Sequence, residues 1–387
     1  MKRPLLNRRL APFGTTIFTE MSARAVATGS VNLGQGFPDT DGPQAVARRA
    51  MDAIARGEGN QYPPLPGVAP LRQAIARHQD RFYGLAVEPD SEVLVTAGAT
   101  EAIAAAILAL TEPGDEVVAF EPFYDSYAAT IAMAGATRAG VTLRGPDFRP
   151  DLDALAAAVT ERTRLLLVNT PHNPTGMVLT PAETAAIARL AIERDLLVVT
   201  DEVYEHLTYD VAHVPLATIP GMRERTVTIS SGGKAFGFTG WKVGWATAAP
   251  ELITAVRTAK QFLTFVASGP FQFAIADALD LPGEYYEELA RDLKAKRDLL
   301  AAGLAEIGFE VGRSDGTYFL TTDITPLGET DGVEFCLALP ERAGVVAIPS
   351  SVFYDDKDAG RTQVRFAFCK RREVLEEALN RLAVLKR

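Results

Sequence analysis

Between about residues 90 and 250, short apolar runs alternate with segments whose apolar residues recur at helical spacing. The runs EVLVT (92–96), DEVVAF (115–120), RLLLVN (164–169), LLVVT (196–200) and TVTIS (226–230) predict buried strands. ATEAIAAAILAL (99–110) and PAETAAIARLAIERD (181–195) predict helices between them. That order predicts an α/β fold with a mainly parallel sheet covered by helices on both faces. In such sheets ligands gather at the carboxyl ends of the strands. The last hundred residues change pattern. A long charged helix is predicted over EYYEELARDLKAKRDLLAAGLAEIG (284–308), followed by GTYFLTTDI, VVAIPS, VRFAFC and a final helix, which together suggest a smaller α+β domain. The shift in composition near 280 predicts a boundary there; the expected domains are a large one over 41–280 and a small one over 1–40 and 281–387. No fixed-period repeat or low-complexity tract interrupts the pattern.

Composition narrows the function. With 387 residues, 47% hydrophobic and 23% charged, the chain is long enough for two or three folded domains with a cleft between them. The formal net charge is −10, from 39 Lys+Arg against 49 Asp+Glu. Such a field repels nucleic-acid backbones and anionic membrane surfaces, so neither is an expected partner. The run Ala99 to Leu110 contains Glu101 and falls well short of the roughly 20 residues that span a bilayer. Two cysteines, Cys336 and Cys369, are too few for a disulfide framework and fit a reducing compartment. The basic start MKRPLLNRRLAPFG is interrupted by Arg8 and Arg9 and lacks a small-residue cleavage pattern, so an arm of a cytoplasmic protein is expected rather than a secretory signal.

Several familiar motifs fail on their spacing. Gly34-Gln35-Gly36 begins a dinucleotide fingerprint, but Asp39 stands where the third glycine belongs. Gly233-Lys234 is followed by Ala235, and Thr228 occupies the first glycine of a P-loop. The histidines, at 78, 172, 206 and 213, never fall at i, i+4 with a glutamate between them, so no hydrolytic zinc site and no metal are expected. Ser231-x-x-Lys234 matches the nucleophile motif of penicillin-recognising serine hydrolases, yet neither Ser-Asp-Asn nor Lys-Thr-Gly occurs.

More informative are residues placed one per predicted strand end. Thr96-Ala97-Gly98-Ala99-Thr100 joins a strand to an Ala-rich helix, where free N–H groups and the helix dipole favour an anion, or where an ordinary cap closes the turn. Asp201 follows an apolar strand with Tyr204 three residues on; capping is its plainer role. Asn169 through Pro174 is either a Pro-rich turn or a pair of amides aimed at a ligand. Lys234 follows two glycines that permit close backbone approach, although exposed lysines are common. Tyr124 either stacks on a planar ligand or packs in the core. Arg365 alternates with Val364, Phe366 and Phe368, so it is either solvated or a carboxylate clamp. Taken together, they form the set demanded by one cofactor, pyridoxal 5'-phosphate: an amine for its aldehyde, a carboxylate for its ring nitrogen, a phenol and an amide for its hydroxyl, an aromatic face, a phosphate cradle and a substrate clamp.

The blocks NLGQGFPD (32–39), NQYPPLPG (60–67), VTAGATEA (95–102), EPFYDSY (121–127), NTPHNPTG (169–176), TDEVYEH (200–206), SSGGKAFGFTGWKVGW (230–245) and VRFAFCK (364–370) closely resemble class I/II, fold-type I aminotransferases. Order and spacing match over nearly the full chain. The nearest branch holds N-succinyldiaminopimelate, kynurenine/glutamine and methionine aminotransferases. The resemblance implies that Lys234 is the Schiff-base lysine, that Asp201 partners the pyridine nitrogen, and that Tyr204 and Asn173 bond the ring hydroxyl. It implies that Tyr124 stacks on the ring, that Ala99, Thr100, Ser231 and Lys242 hold the phosphate, and that Tyr62 reaches it from the other subunit of a homodimer. Arg365, with Asn173 and Gly36, is implied as the site of the substrate α-carboxylate. The implied reaction is ping-pong transamination between an amino acid and a 2-oxo acid such as 2-oxoglutarate. Ala235, Phe238 and the doubled Gly232-Gly233 depart from the usual pattern and bear on substrate shape. Phe13, Phe18, Phe262, Phe265 and Phe353 could line a roomy apolar pocket, or pack in the core. The blocks slightly favour N-succinyldiaminopimelate as substrate. A C–S β-lyase shares nearly every site residue and stays open as an alternative. A serine hydrolase built on Ser231 is the alternative of a different class.

Overall fold

A computed structural model describes residues 5–14 and 16–386. The first four residues of the basic start lie outside that range. Among the described residues the chain opens with helix α1 (Ile17–Thr28), the short strand β1 (Val31–Asn32), and helices α2 (Gln44–Ala55) and α3 (Ala69–Tyr83). Alternating elements follow: β2 (Val93–Ala97), α4 (Gly98–Leu110), β3 (Glu116–Glu121), α5 (Asp125–Ala134), β4 (Thr137–Thr142), α6 (Leu152–Ala158), β5 (Thr163–Asn169), α7 (Pro181–Glu193), β6 (Leu197–Asp201) and β7 (Thr226–Ser231). After the single turn α8 (Gly232–Ala235) come β8 (Val243–Thr247), α9 (Pro250–Gln261), α10 (Gly269–Leu279) and the long α11 (Gly283–Ile307). The remainder is β9 (Glu310–Val311), β10 (Phe319–Asp323), α12 (Gly332–Ala343), β11 (Val345–Val346), β12 (Ile348–Pro349), β13 (Gln363–Ala367) and α13 (Arg372–Leu382).

The main sheet has the order β2-β8-β7-β6-β5-β3-β4. Only β8 runs antiparallel to its neighbours; the other six strands share one direction. Each predicted strand is present to within a residue. The pattern missed two others. β4, TRAGVT, sits at the sheet edge with only Val141 buried and carries no apolar run. β8, VGWAT, is fully buried, but its glycine interrupts the apolar run and its first three residues belong to a motif block. Because side chains alternate across a strand, Leu165 and Leu167 pack on one face with α4, α5 and α9, while Leu166 and Val168 pack on the other with α6 and α7. Val93, Val95, Val243 and Trp245 form a third cluster with α2, α3 and α10.

The second sheet, β12-β13-β10-β9, is antiparallel and shares a core with α1, α11, α12 and α13. Helix α11 joins the two bodies of packing: Tyr286 belongs to the cluster under α2 and α10, whereas Leu293, Leu300 and Leu304 belong to the second core. Val203, Tyr204 and Leu207, just past β6, also lie in that second core, so the exit of β6 stands where the two meet. No described helix is long and apolar enough to cross a membrane.

Leu300 is fully buried in the second core. Leu300→Ala should therefore cost about 2–5 kcal/mol, the usual range for an unfilled core site. A lowered urea midpoint with an unchanged slope would report it, and an unshifted midpoint would contradict the packing described.

Candidate active site

The parallel strands deliver Ala97, Glu121, Asn169, Asp201 and Ser231 to one edge of the sheet, and a cavity of about 360 Å³ opens there. It is lined by Gly36, Ala99, Thr100, Tyr124, Asn173, Asp201, Tyr204, Ser231, Lys234, Lys242 and Arg365. Tyr62 is not among the lining residues: it is 83% exposed, with its ring edge-on to Phe265 at 5.7 Å.

The anion end of the cavity is built by backbone. Gly98 has φ +75° and starts α4, whose first turn receives no side-chain cap among the described residues. The Glu101 carboxylate reaches back to accept the Ala97 N–H at 2.6 Å, and no side chain of the cap residue bonds the N–H groups that follow. By contrast α7 is closed by a capping box of Thr180 and Glu183. A side chain at Gly244 would meet the Gly98 carbonyl carbon at 2.5 Å and the Ala99 nitrogen at 2.6 Å, so glycine alone lets β8 lie against the start of α4. Lys242, in the left-handed region at φ 55°, puts its ammonium against Gly98. Uncapped N–H groups, the helix dipole and a lysine all favour an anion at this place.

Asp201 is buried, and burial raises its pKa above the ordinary carboxylate value; a hydrogen bond from Tyr127 and the nearby Lys234 charge oppose that rise. The Tyr127 hydroxyl donates to Asp201 Oδ2 at 2.5 Å. Sequence reasoning missed Tyr127, although it lies one helical turn beyond Tyr124 in the same block. Asn169 ties the exits of β5 and β6 together. Its amide donates to the Asp201 carbonyl at 2.8 Å, and its Oδ1 accepts the Asn173 N–H at 2.8 Å.

Lys234 Nζ donates to the Tyr318 hydroxyl at 3.0 Å, and that hydroxyl donates to the Gly36 carbonyl at 2.5 Å. Tyr318 also went unassigned in the sequence; it sits in GTYFL with nothing local to mark it. Burial lowers the Lys234 ammonium from 10.5 to about 8, helped by the Arg365 and Lys242 charges and opposed by Asp201. Lys234 is half-buried in the cavity lining, so an exposed lysine is the wrong reading. Lys234 hydrogen-bonds Tyr318, not Ser231, so the pairing a Ser-Lys hydrolase needs is not made.

Arg365 is 2% exposed, which excludes a solvated arginine. Its guanidinium donates to Asn173 Oδ1 at 3.0 Å and to the Gly34 carbonyl at 2.9 Å. Phe319, Phe353 and Phe18 surround it, with centroids 4.1, 5.1 and 5.2 Å away. Among the described residues no carboxylate pairs with it and its Nε has no partner. Burial lowers its pKa to about 10. A buried cation with unused donors is suited to receive a carboxylate. The five phenylalanines weighed between an apolar pocket and the core fall in different places. Phe18 lines the cavity and Phe353 backs Arg365, but Phe262 and Phe265 are 80% and 44% exposed, Phe265 against Tyr62, and Phe13 is outside the lining.

A model of the family described as aminotransferase class I and II matches residues 28–382. The chain belongs to that family: it is an aminotransferase, an enzyme that moves an amino group between an amino acid and a 2-oxo acid. It is similar to the "Probable N-succinyldiaminopimelate aminotransferase" of Mycobacterium tuberculosis, with 56% identity covering 97% of this chain and 98% of that protein. It is similar at 43% identity to the methionine aminotransferase of Escherichia coli, covering 97% of each. The solved structure of the N-succinyldiaminopimelate aminotransferase from Mycobacterium tuberculosis superposes with a TM-score of 0.96 at 57% identity, covering 98% of this chain and 100% of that one.

The lowered Lys234 pKa has a measurable sign. Between about pH 8 and 10.5 the unfolded chain binds more protons at this position than the folded one, so stability rises with pH across that window. The burial penalty is fully present below the folded value. In ligand-free protein, Lys234→Met should therefore be more stable than wild type at neutral pH, by about 1–3 kcal/mol, and lose that advantage at alkaline pH. Melting temperatures of the two proteins compared across pH test this; a pH-independent difference would refute it.

Proposed function

We propose that the chain is a pyridoxal-phosphate-dependent, homodimeric aminotransferase acting on N-succinyldiaminopimelate or a close analogue with 2-oxoglutarate as acceptor. The observation that carries the reading is the convergence of Lys234, Asp201 and Arg365 on one cavity with an uncapped helix N-terminus. The residues fit the cofactor: they offer an anion cradle at one end, a buried carboxylate in need of a cationic partner, and an amine of lowered pKa. When bound, pyridoxal phosphate supplies an aldehyde for amine exchange and an electron sink for charge left at Cα.

In this reading the N–H groups of Ala99 and Thr100, with Ser231 and Lys242, hold the phosphate. Asp201, positioned by Tyr127, keeps a proton on the ring nitrogen. Tyr204 and Asn173 bond the ring oxygen, and Tyr124 packs on the ring face. The Lys234 amine takes the proton from substrate Cα and returns it on the way to product; a pKa near 8 leaves an appreciable neutral fraction near neutral pH. Arg365 grips the α-carboxylate, with Asn173 and Gly36 beside it. Tyr62, Phe262 and Phe265 form an exposed apolar surface that a second copy would cover, bringing Tyr62 to the partner's phosphate cradle. The proposed domains, 41–280 and 1–40 with 281–387, would then flank the cavity. An acidic chain whose two cysteines are buried and unpaired suits the reducing cytoplasm.

Substrate choice rests on the similarity to the mycobacterial relative. Given 2-oxoglutarate, the purified protein should turn over N-succinyldiaminopimelate with kcat/KM at least about tenfold above methionine and kynurenine; a preference for either of those would replace the substrate and keep the class. Arg365→Lys keeps the charge but loses the planar fork. It should raise KM for both amino and oxo acids by about 10–100-fold, the worth of one charge-assisted bond. Unchanged KM values would remove Arg365 from the carboxylate site.

A further inference from the structure

The turn after β6 has two sides. Asp201 and Tyr204 line the cavity, whereas Glu202, Glu205 and His206 belong to a separate polar cluster beneath α3. Glu205 is 7% exposed and accepts a hydrogen bond from the Ser230 hydroxyl at 2.5 Å. The Tyr83 phenol lies close enough for the Glu205 charge to raise its pKa, after burial. Among the described residues no lysine or arginine makes an ion pair with Glu205, so its charge is met by neutral donors. His78, 2% exposed on α3, and His206 face each other with their Nε2 atoms 2.6 Å apart. One N–H···N bond therefore joins them, and His78 Nδ1 is left without a partner among the described residues. Phe82 lies 4.8 Å from the His78 ring and 4.7 Å from the His206 ring, and Tyr286 lies 4.2 Å from His206, centroid to centroid.

We propose that His78, Glu205 and His206 form a binding site for a divalent transition-metal ion of the zinc class. Their donor atoms all lie within 4.8 Å of one another. Two imidazoles and a carboxylate are a common zinc donor set, and the fourth position of a tetrahedron is left for water. At a metal–nitrogen length of about 2.0–2.1 Å, tetrahedral nitrogens sit roughly 3.3 Å apart, so the rings need to separate by less than about 1 Å. The ion would replace a single hydrogen bond by three ligand bonds and neutralise a carboxylate that otherwise has no cation. It would also pin α3 to the turn that carries Asp201 and Tyr204. Sequence spacing hides the site because His78 lies 128 residues before His206. The proposal is independent of the transamination reading, since no ligand touches the cavity.

The test uses untagged full-length holoenzyme dialysed against a chelator, then titrated with Co²⁺ and with Zn²⁺. One Co²⁺ per chain with the strong visible bands of a four-coordinate ion, displaced by Zn²⁺, is the expected result, together with a higher melting temperature in Zn²⁺. His78→Gln and His206→Gln should each weaken Zn²⁺ binding by at least about tenfold. Absence of stoichiometric binding by the wild type, or affinity unchanged in both variants, overturns the proposal. Where a variant fails to fold, the wild-type Co²⁺ spectrum decides: weak bands of a six-coordinate ion would refute the site.

Discussion

The cavity depends on keeping ionic groups out of water without letting them neutralise one another. Burying an isolated charge is expensive, and most proteins avoid it by pairing. Here Arg365 is enclosed by three phenylalanine rings and hydrogen-bonded only to an amide and a carbonyl, so its charge is solvated by ring faces and dipoles. Asp201 receives a tyrosine hydroxyl and a backbone N–H. Lys234 rests on the Tyr318 oxygen. Each group is oriented by neutral partners and stays available for an incoming ion of opposite sign. A direct Arg365–Asp201 or Lys234–Asp201 pair would satisfy these charges within the protein and would have to be broken on every binding event.

Holding these groups apart requires a rigid frame, which the sheet provides. Strands that share a direction present their carboxyl ends along one edge, and Asn169 locks the exits of β5 and β6 in register through its side chain. The antiparallel β8 makes the frame close. Running back between β2 and β7, it brings Gly244 against Gly98 and carries Lys242 to the mouth of α4. Both ends of the anion cradle are thus set by one strand pairing, and a methyl group at position 244 would wedge it open.

Much of this was legible in the chain because the determining signals are local. Five apolar runs announced the core strands, and the chemistry-bearing residues Asp201, Lys234 and Arg365 stand next to such runs, so topology alone brings them together. Signals that depend on distant packing were not legible. β4 gains its place from pairing with β3, not from apolar residues of its own. Tyr127 and Tyr318 act through partners 74 and 84 residues away, and a tyrosine's local sequence does not say whether its hydroxyl is used. The phenylalanines show the same limit from the other direction: five similar residues divide among cavity, core and surface, because position in the fold and not residue type decides where an aromatic ring is wanted.

The turn at 201–206 shows how one short segment serves two environments. Its cavity-facing residues must be stiff, since a carboxylate displaced by an ångström no longer meets its partner at hydrogen-bond length. A turn between a strand and a loop has few backbone bonds with which to achieve that. Stiffness comes from behind. Glu202 is bonded to His213 at 2.7 Å, Glu205 to Ser230 and His206 to His78. These contacts anchor the side chains at 202, 205 and 206 to the loop near 213, to β7 and to α3, and all of them are buried or half-buried. The polar cluster beneath the turn therefore governs the precision of groups it never touches, and any ion or proton that tightens it acts on the cavity through the backbone of six residues.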